Sequence, residues 1–507
     1  MRARTHRLEQ TPWRLAELPA VAPATAAYWA ALAGVTLLAA CLRVEHLLHP
    51  MRYDESFSLL MFAAPDDPSR WFHYLAPNNH VLHTLAVHLS VSQFGLLPPA
   101  VRLPALLAGV LLVPSAASLA RRVSGSAVAG LIAAALTGAS SLLVEYSVNA
   151  RGYAVVCLAS VWMARFTADL CRDARRIGPW VGWILAGAAG AFTIPIMVYP
   201  AGILLLALAA QLGLCRADRA VRRKVALRLV VAVAATAALT ALAYLPVIEV
   251  SGLEALVANR FVAPHPLGEV AAALPGVAGQ TLRDWFRDGS WAWAALVGAG
   301  VAGAAVEAVR RRALLWALPA LAALLLPAAA LAQRVVPFPR VWLFALPWTL
   351  ALSACGAVVL VRFLPRPAPL AVGKVAGAAL LAAAAGASAW NVHARRWMIS
   401  EDPRTLVAAE RIARDASAAL CDGRTAMLAW VPGWPSLTYY HLLYSPERRY
   451  IPSGDPACER AIVVVGDHQT LDEVLGHFPD AARRFGPWEC WGNYERATVY
   501  LAPRREK

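Results

Sequence analysis

The sequence is poor in charge, and poorest in acid. Only 16% of its 507 residues are Asp, Glu, Lys or Arg, and Asp and Glu together number 32. Soluble proteins carry about a quarter of their residues as charge, so a soluble enzyme is excluded as a reading of the whole chain. Glycine triplets and sustained heptads are both missing, which excludes a collagen-like rod and a long coiled coil. A hydrophobic content of 59% excludes disorder. No internal repeat is visible and the notable charges avoid the middles of the apolar runs, which weighs against a transporter or lipid flippase, the first rival class. A non-catalytic envelope-assembly protein is the second rival. His80 and His83 have a metal-like separation, but no second ligand pair stands near them, so no metal is assigned. A basic face with stacking aromatics is also lacking, so the net charge of +15 does not point to nucleic acid.

What is present is a series of long apolar runs. Each approaches the roughly 20 residues that cross about 30 Å of hydrocarbon as a helix. We expect about eleven spans, near 24–47, 101–120, 125–145, 152–170, 179–197, 199–215, 226–248, 291–309, 313–333, 341–361 and 371–390. The expected organisation is a cytosolic segment 1–23, a membrane domain 24–390 and a small soluble α/β domain 391–507. In that domain, helices are expected near 403–419 and 469–478, and strands near 425–431, 461–466 and 487–502.

The arginines orient this series. With the N-terminus in the cytosol, the inner segments hold 21 Lys and Arg residues, including Arg121–Arg122, Arg222–Lys224 and Arg310–Arg312. The outer loops before residue 391 hold eight. This is the asymmetry of cytosolic loops in a multi-pass inner-membrane protein. It holds only if Asn79–Leu97, which carries His80, His83 and His88, is an interfacial helix within the first outer loop (48–100) and not a span. The soluble domain then faces outward. Of the cysteines, Cys421, Cys458 and Cys490 fall in that domain and permit one bridge with one thiol left over; which pair forms is left open.

The chemistry-bearing residues gather at the outer ends of spans. Asp54 and Glu55 are adjacent carboxylates just beyond the first span, flanked by Tyr53 and Phe57; partial desolvation and a like-charged neighbour make such a pair a candidate general base. Glu145 and Arg151 share a very short outer loop, where charges beside hydrocarbon point to function or to a Glu145–Arg151 ion pair. Arg102, Arg151 and Arg340 sit where spans begin, the positive end of the helix dipole, and a bound anion resolves that conflict. The larger outer loop, 251–290, mixes polar and aromatic residues without a sharper signal. Gly466-Asp467-His468 reads as a turn.

The order of these motifs resembles a known family. The acidic pair, then Pro77-Asn78-Asn79-His80, Val101-Arg102-Leu103-Pro104 and Glu145-Tyr146-Ser147-Val148-Asn149-Ala150-Arg151-Gly152-Tyr153, is similar to the C-type superfamily of membrane glycosyltransferases. It is nearest to bacterial members related to protein O-mannosyltransferases and to the lipid A aminoarabinose transferase. The resemblance implies a polyprenyl-monophosphate sugar donor, an outward-facing site, transfer with inversion to a hydroxyl of an envelope lipid, glycan or protein, and no cofactor unless a diphosphate donor calls for a divalent metal. It implies Asp54 as base with Glu55 beside it; Arg102, Arg151 and Arg340 for the donor phosphate; and Glu145, Tyr153 and His80 for substrate positioning. Val81 and Leu82 replace the family's usual proline pair after the histidine, a departure that bears on sugar or acceptor choice.

Overall fold

The structure is a computed structural model that describes residues 13–74, 77–257, 263–287, 291–361, 386, 389–390, 392–393, 405–419, 424–444 and 458–505. It divides into two compact units. One comprises Met1–Glu45, Phe72–His83 and Pro104–Ala394; the other comprises His46–Trp71, Thr84–Leu103 and Arg395–Lys507.

The first unit is a helical bundle. Seven described helices are long and apolar enough to cross a membrane, eight if the bent pair Ala127–Ala139 and Ser141–Ser147 is one span; Ile177–Thr193 and Ala345–Leu360 are apolar but shorter. Ten of the eleven expected spans thus contain an apolar helix, while the one at 371–390 lies, but for residues 386, 389 and 390, outside the described residues. The helices expose large aliphatic side chains, among them Leu37, Leu38, Val230, Leu242 and Leu324. An exposed apolar surface of this extent fits lipid rather than water. The 33-residue helix Arg219–Ser251 is about 50 Å long at 1.5 Å per residue, so its basic start extends beyond the hydrocarbon.

Helix Ala345–Leu360 forms the centre, buried continuously from Ala345 to Gly356. It reaches that depth because small residues let backbones touch: a Cβ on Gly356 would lie 1.8 Å from the Gly300 carbonyl oxygen. Close approach through small residues replaces the hydrophobic drive that a bilayer does not supply. The bent pair turns by 64° at Ser140, whose extended backbone interrupts the helix. This break redirects the chain toward Glu145 and Arg151.

Val81–Phe94, within the proposed interfacial segment, is a 14-residue helix; at about 21 Å it is too short to cross about 30 Å of hydrocarbon. The larger outer loop is more ordered than its composition indicated, because it contains the 19-residue amphipathic helix Leu267–Trp285.

The second unit carries a four-stranded sheet, β1 (Thr425–Ala429), β2 (Arg460–Gly466), β3 (Glu489–Tyr494) and β4 (Ala497–Pro503), in the order β1-β2-β4-β3. β1 and β2 are parallel, whereas β4 runs antiparallel to β2 and β3. β2 is central and its five residues from Ala461 to Val465 are buried, as its continuous Ala-Ile-Val-Val-Val run requires. Helices Ala409–Ala419 and Leu471–Gly476 fall where the sequence places them, and Pro479–Arg484 is an additional short helix. Helix Gly433–Tyr444 was not anticipated. Gly466-Asp467-His468 is a turn: the Asp467 carboxylate accepts from Arg496 Nε at 2.7 Å. Of the candidate disulfide cysteines, Cys421 lies outside the described residues, and Cys490 is exposed.

Candidate active site

The acidic pair opens the short helix Tyr53–Ser58, where carboxylates in the first turn suit the helix dipole. The same turn separates their fates. Glu55 points inward, and its side chain is fully buried against Arg102. Oε1 accepts from the Arg52 amide at 2.8 Å and from Arg102 Nη2, while Oε2 accepts from Arg102 Nε at 3.1 Å. Arg102 has five N–H donors. Two go to Glu55, and the other three go to the carbonyls of Leu47, His49 and Pro50 at 2.7, 2.8 and 3.1 Å.

That inventory gives Arg102 a task other than the phosphate contact implied by its sequence motif. With every donor engaged and 1% of its surface exposed, it fastens the chain leaving the first span to the helix carrying Asp54. The Glu55 carboxylate likewise faces a guanidinium and an amide.

Asp54 stands differently. It is half-buried, and among the described residues its carboxylate has no hydrogen bond or ion pair. The Tyr53 and Phe57 rings stack beside it at 5.9 Å, and Phe57 also meets Trp434 edge-on at 5.9 Å. The Tyr53 hydroxyl is raised above its usual pKa by burial and then by the Asp54 charge.

The helix not read from the sequence supports this loop. Ser436 Oγ donates to the Met51 carbonyl at 2.9 Å, the Met51 amide donates to Tyr440 Oη at 3.1 Å, and Tyr439 Oη donates to the Leu96 carbonyl at 2.6 Å. His46–Trp71 and Thr84–Leu103 of the first outer loop therefore form one body with the tail.

Arg151 and Arg340 belong to the other unit. Arg151 is 3% exposed and held by polar, uncharged groups: Nη2 donates to Asn78 Oδ1 at 3.1 Å, and Nη1 lies 3.4 Å from the Asn78 carbonyl. The Gly152 amide donates to His80 Nδ1 at 2.8 Å. A neutral ring that accepts at Nδ1 carries its proton on Nε2, and that nitrogen is 3.4 Å from Arg151 Nη2. Burial, then the charge of Arg151, the ring of His83 and the charge of Arg340, hold His80 well below its ordinary pKa. Gly152 is obligatory for this approach, because a Cβ there would lie 2.4 Å from Thr193 Cγ2 and 3.0 Å from His80 Cβ.

Tyr153 packs edge-on to both His80 and Tyr146, at 5.2 Å in each case. Arg340 lies in the turn Pro339–Trp342 and stacks 4.7 Å from the Phe338 ring. Arg151, Arg340, His80 and Tyr153 thus share one electrostatic neighbourhood within this unit.

For Glu145 and Arg151, read from the sequence as functional or as an ion pair with each other, the structure shows further partners. Glu145 pairs with Arg287 of the larger outer loop, whose Nε also donates to Ser141 Oγ at 3.1 Å. Arg287 and Asn78 are the contacts that sequence reasoning missed as site residues. Asn78 was visible within the Pro77–His80 motif, whereas nothing local distinguished Arg287 from Arg283. The described residues contain no group of three or more His, Cys, Asp or Glu placed to hold a metal ion.

No protein-family model and no curated protein sequence matches the chain. Solved structures do match. The lipid A aminoarabinose transferase ArnT from Cupriavidus metallidurans aligns in its apo state with a TM-score of 0.60 at 12% identity, covering 94% of this chain and 98% of that one. ArnT bound to undecaprenyl phosphate gives 0.59 at 14%, with the same coverage. The archaeal oligosaccharyltransferase AglB from Archaeoglobus fulgidus, in complex with an inhibitory peptide and a dolichol-phosphate, gives 0.52 at 12%, covering 93% and 74%. The chain has the C-type glycosyltransferase fold. Its coverage of ArnT extends from the helical bundle into the soluble tail, so the C-type fold accounts for both parts of the chain.

Proposed function

We propose that the protein is an inverting membrane glycosyltransferase that moves a sugar from a polyprenyl-monophosphate donor to a hydroxyl acceptor in the cell envelope, at the outer face of the cytoplasmic membrane. The observation that carries this reading is the division within the acidic pair. Glu55 is neutralised by Arg102, while Asp54 remains half-buried with no ion pair or hydrogen bond among the described residues. Asp54 is then the group available to take the acceptor's proton as its oxygen attacks the anomeric carbon.

The leaving group is a phosphomonoester, which needs positive charge more than a proton. Arg151 and Arg340 supply that charge, and the Nε2–H of neutral His80 adds a donor of the same polarity. Tyr153 fixes the His80 ring, and Glu145 with Arg287 steadies the loop before Arg151. The solved neighbours support the donor class: one ArnT structure holds undecaprenyl phosphate and the AglB structure a dolichol-phosphate.

Mass analysis of products formed from candidate polyprenyl-phosphate sugars tests the reading. The wild-type protein should yield a glycosylated acceptor and free polyprenyl phosphate. Asp54→Asn should lower the rate by about a hundred to ten-thousand-fold, the usual worth of a general base. Transfer at the wild-type rate by folded Asp54→Asn protein would remove the mechanism. Because the donor is a monophosphate, transfer should persist in chelator.

A further inference from the structure

At the opposite end of the bundle from the outer loops, where the arginine clusters gather, there is a cavity of about 400 Å³ that the transfer reaction does not use. Arg14, Arg216, Arg310, Arg311 and Arg312 line it. They come from three separate stretches of chain, and one buried side chain assembles them. Gln211 is 2% exposed. Its Nε2 donates to the Leu15 and Arg312 carbonyls, each at 2.9 Å, and its Oε1 accepts from the Leu314 amide at 3.0 Å. The Leu15 amide in turn donates to the Cys171 carbonyl at 2.9 Å. All three hydrogen-bonding positions of the amide bind the N-terminal segment and the Arg312 turn into a fixed floor.

The charges on this floor do not balance. Arg310 and Arg311 both grip the buried carboxylate of Glu307. Glu17 and Asp218 also line the cavity, but Asp218 caps the next helix, accepting from the Val221 amide at 2.8 Å. Five guanidiniums against three carboxylates leave two positive charges in excess. Among the described residues, the guanidiniums of Arg14, Arg216 and Arg312 have no hydrogen-bond acceptor and no ion pair. Arg312 also adopts a left-handed backbone, φ 50°, a conformation ordinarily given to glycine. Arg14, Arg216 and Arg312 are exposed at the mouth of the cavity; like charges gathered there repel unless an anion joins them, and guanidinium forks match phosphate oxygens.

We propose that this cavity binds the phosphate group of an anionic ligand, carried either by a phospholipid headgroup or by a soluble phosphate compound. Its place at a membrane-flanking end, between helix termini and beside the N-terminal segment, is where basic pockets take acidic lipid headgroups.

The test uses the full-length protein in nanodiscs of phosphatidylcholine, with and without phosphatidylglycerol, and a triple variant, R14A/R216A/R312G, in which glycine suits the left-handed position. Native mass spectrometry should show the wild type retaining phosphatidylglycerol at least about tenfold more tightly than the variant, in keeping with the loss of charge-assisted hydrogen bonds. In a second arm, inorganic phosphate and diphosphate are titrated in phosphatidylcholine discs while the melting temperature is followed. A saturable rise in the wild type that the variant lacks identifies a soluble phosphate as the source; a response to phosphatidylglycerol alone identifies the headgroup. Sugar transfer in phosphatidylcholine should be equal in both proteins, which separates loss of the anion from misfolding. If the triple variant does not fold, R216A carries the same comparison, since Arg216 lies on an exposed connector. Equal retention of phosphatidylglycerol and no difference with phosphate would overturn the proposal.

Discussion

Adjacent residues on a helix point about 100° apart, so Asp54 and Glu55 cannot share an environment. Glu55 turns into the protein and its charge is met by Arg102; Asp54 turns toward the aromatic rim of Tyr53 and Phe57. The consequences of substitution should separate accordingly. Glu55→Gln leaves the Arg102 guanidinium buried without its counter-charge, a change that costs about 3 to 5 kcal/mol when a buried pair is broken. Thermal unfolding in detergent should show a large loss for Glu55→Gln, and little for Asp54→Asn, whose deficit belongs in kcat. Equal melting temperatures for the two variants would contradict this division. Arg151 belongs on the kinetic side as well: Arg151→Gln should weaken donor binding and slow transfer together, because an Arg fork meets phosphate in both the ground and transition states.

The buried histidines add a pH dependence whose sign is fixed. Burial, then Arg151, pushes His83 down to about 3, and His80 is held well below its ordinary value. Both rings are neutral in the folded protein at neutral pH. In the unfolded chain they protonate below about 6.5. The unfolded state therefore binds more protons between about 3 and 6.5, and stability is complete above 6.5 and declines as pH falls through that window. For His83 alone the loss at pH 5 is about 2 kcal/mol. Melting temperature should fall between pH 7.5 and 5, and His83→Asn should flatten the profile; an unchanged slope in that variant would place the titrating group elsewhere.

At the level of elements, the apolar runs were legible because a bilayer imposes length and composition together, and ten of the eleven expected spans carry a helix at their places. The interfacial assignment of the 79–97 segment rested on charge placement, and the segment contains the 14-residue helix Val81–Phe94. Cysteine labelling tests the topology. Ser69 and Ser92 lie on either side of this helix's midpoint and both are exposed. Ser69→Cys and Ser92→Cys, in a background with Cys41, Cys421 and Cys490 replaced, should both react with a membrane-impermeant maleimide added from outside. Labelling of only one would turn the helix into a span and invert every later loop. Long-range partners were not legible. Glu145 finds Arg287 142 residues away, and Arg102 takes carbonyls more than fifty residues earlier. Local periodicity carries no record of such closures, so a recurrent Arg-Leu-Pro element reads equally well as an anion site or as a clamp, and only the donor inventory separates them.

At the scale of the molecule, the fold assigns the soluble tail a larger role than acceptor choice. His46–Trp71 and Thr84–Leu103, the two flanks of the first outer loop, belong to the same compact unit as the tail. Ser436 and Tyr440 satisfy the Met51 backbone, three residues before Asp54, and Tyr439 holds Leu96, six residues before Arg102. Removing the chain from Arg395 onward deprives the loop of these bonds, and each buried polar group left unmet costs about 1 to 3 kcal/mol. The Glu55–Arg102 clamp then has no outer wall. A chain ending at Ala394 should still insert, since the spans remain, but should lose transfer by more than about a hundredfold toward every acceptor, as expected when the base is misplaced. If the tail served only to select an acceptor, the truncated protein would keep transferring to a small, unselective hydroxyl such as a simple alcohol. Assaying both substrate types on membranes with equal amounts of inserted protein decides between the two roles, and retained transfer to the small alcohol would show that the loop holds Asp54 without help.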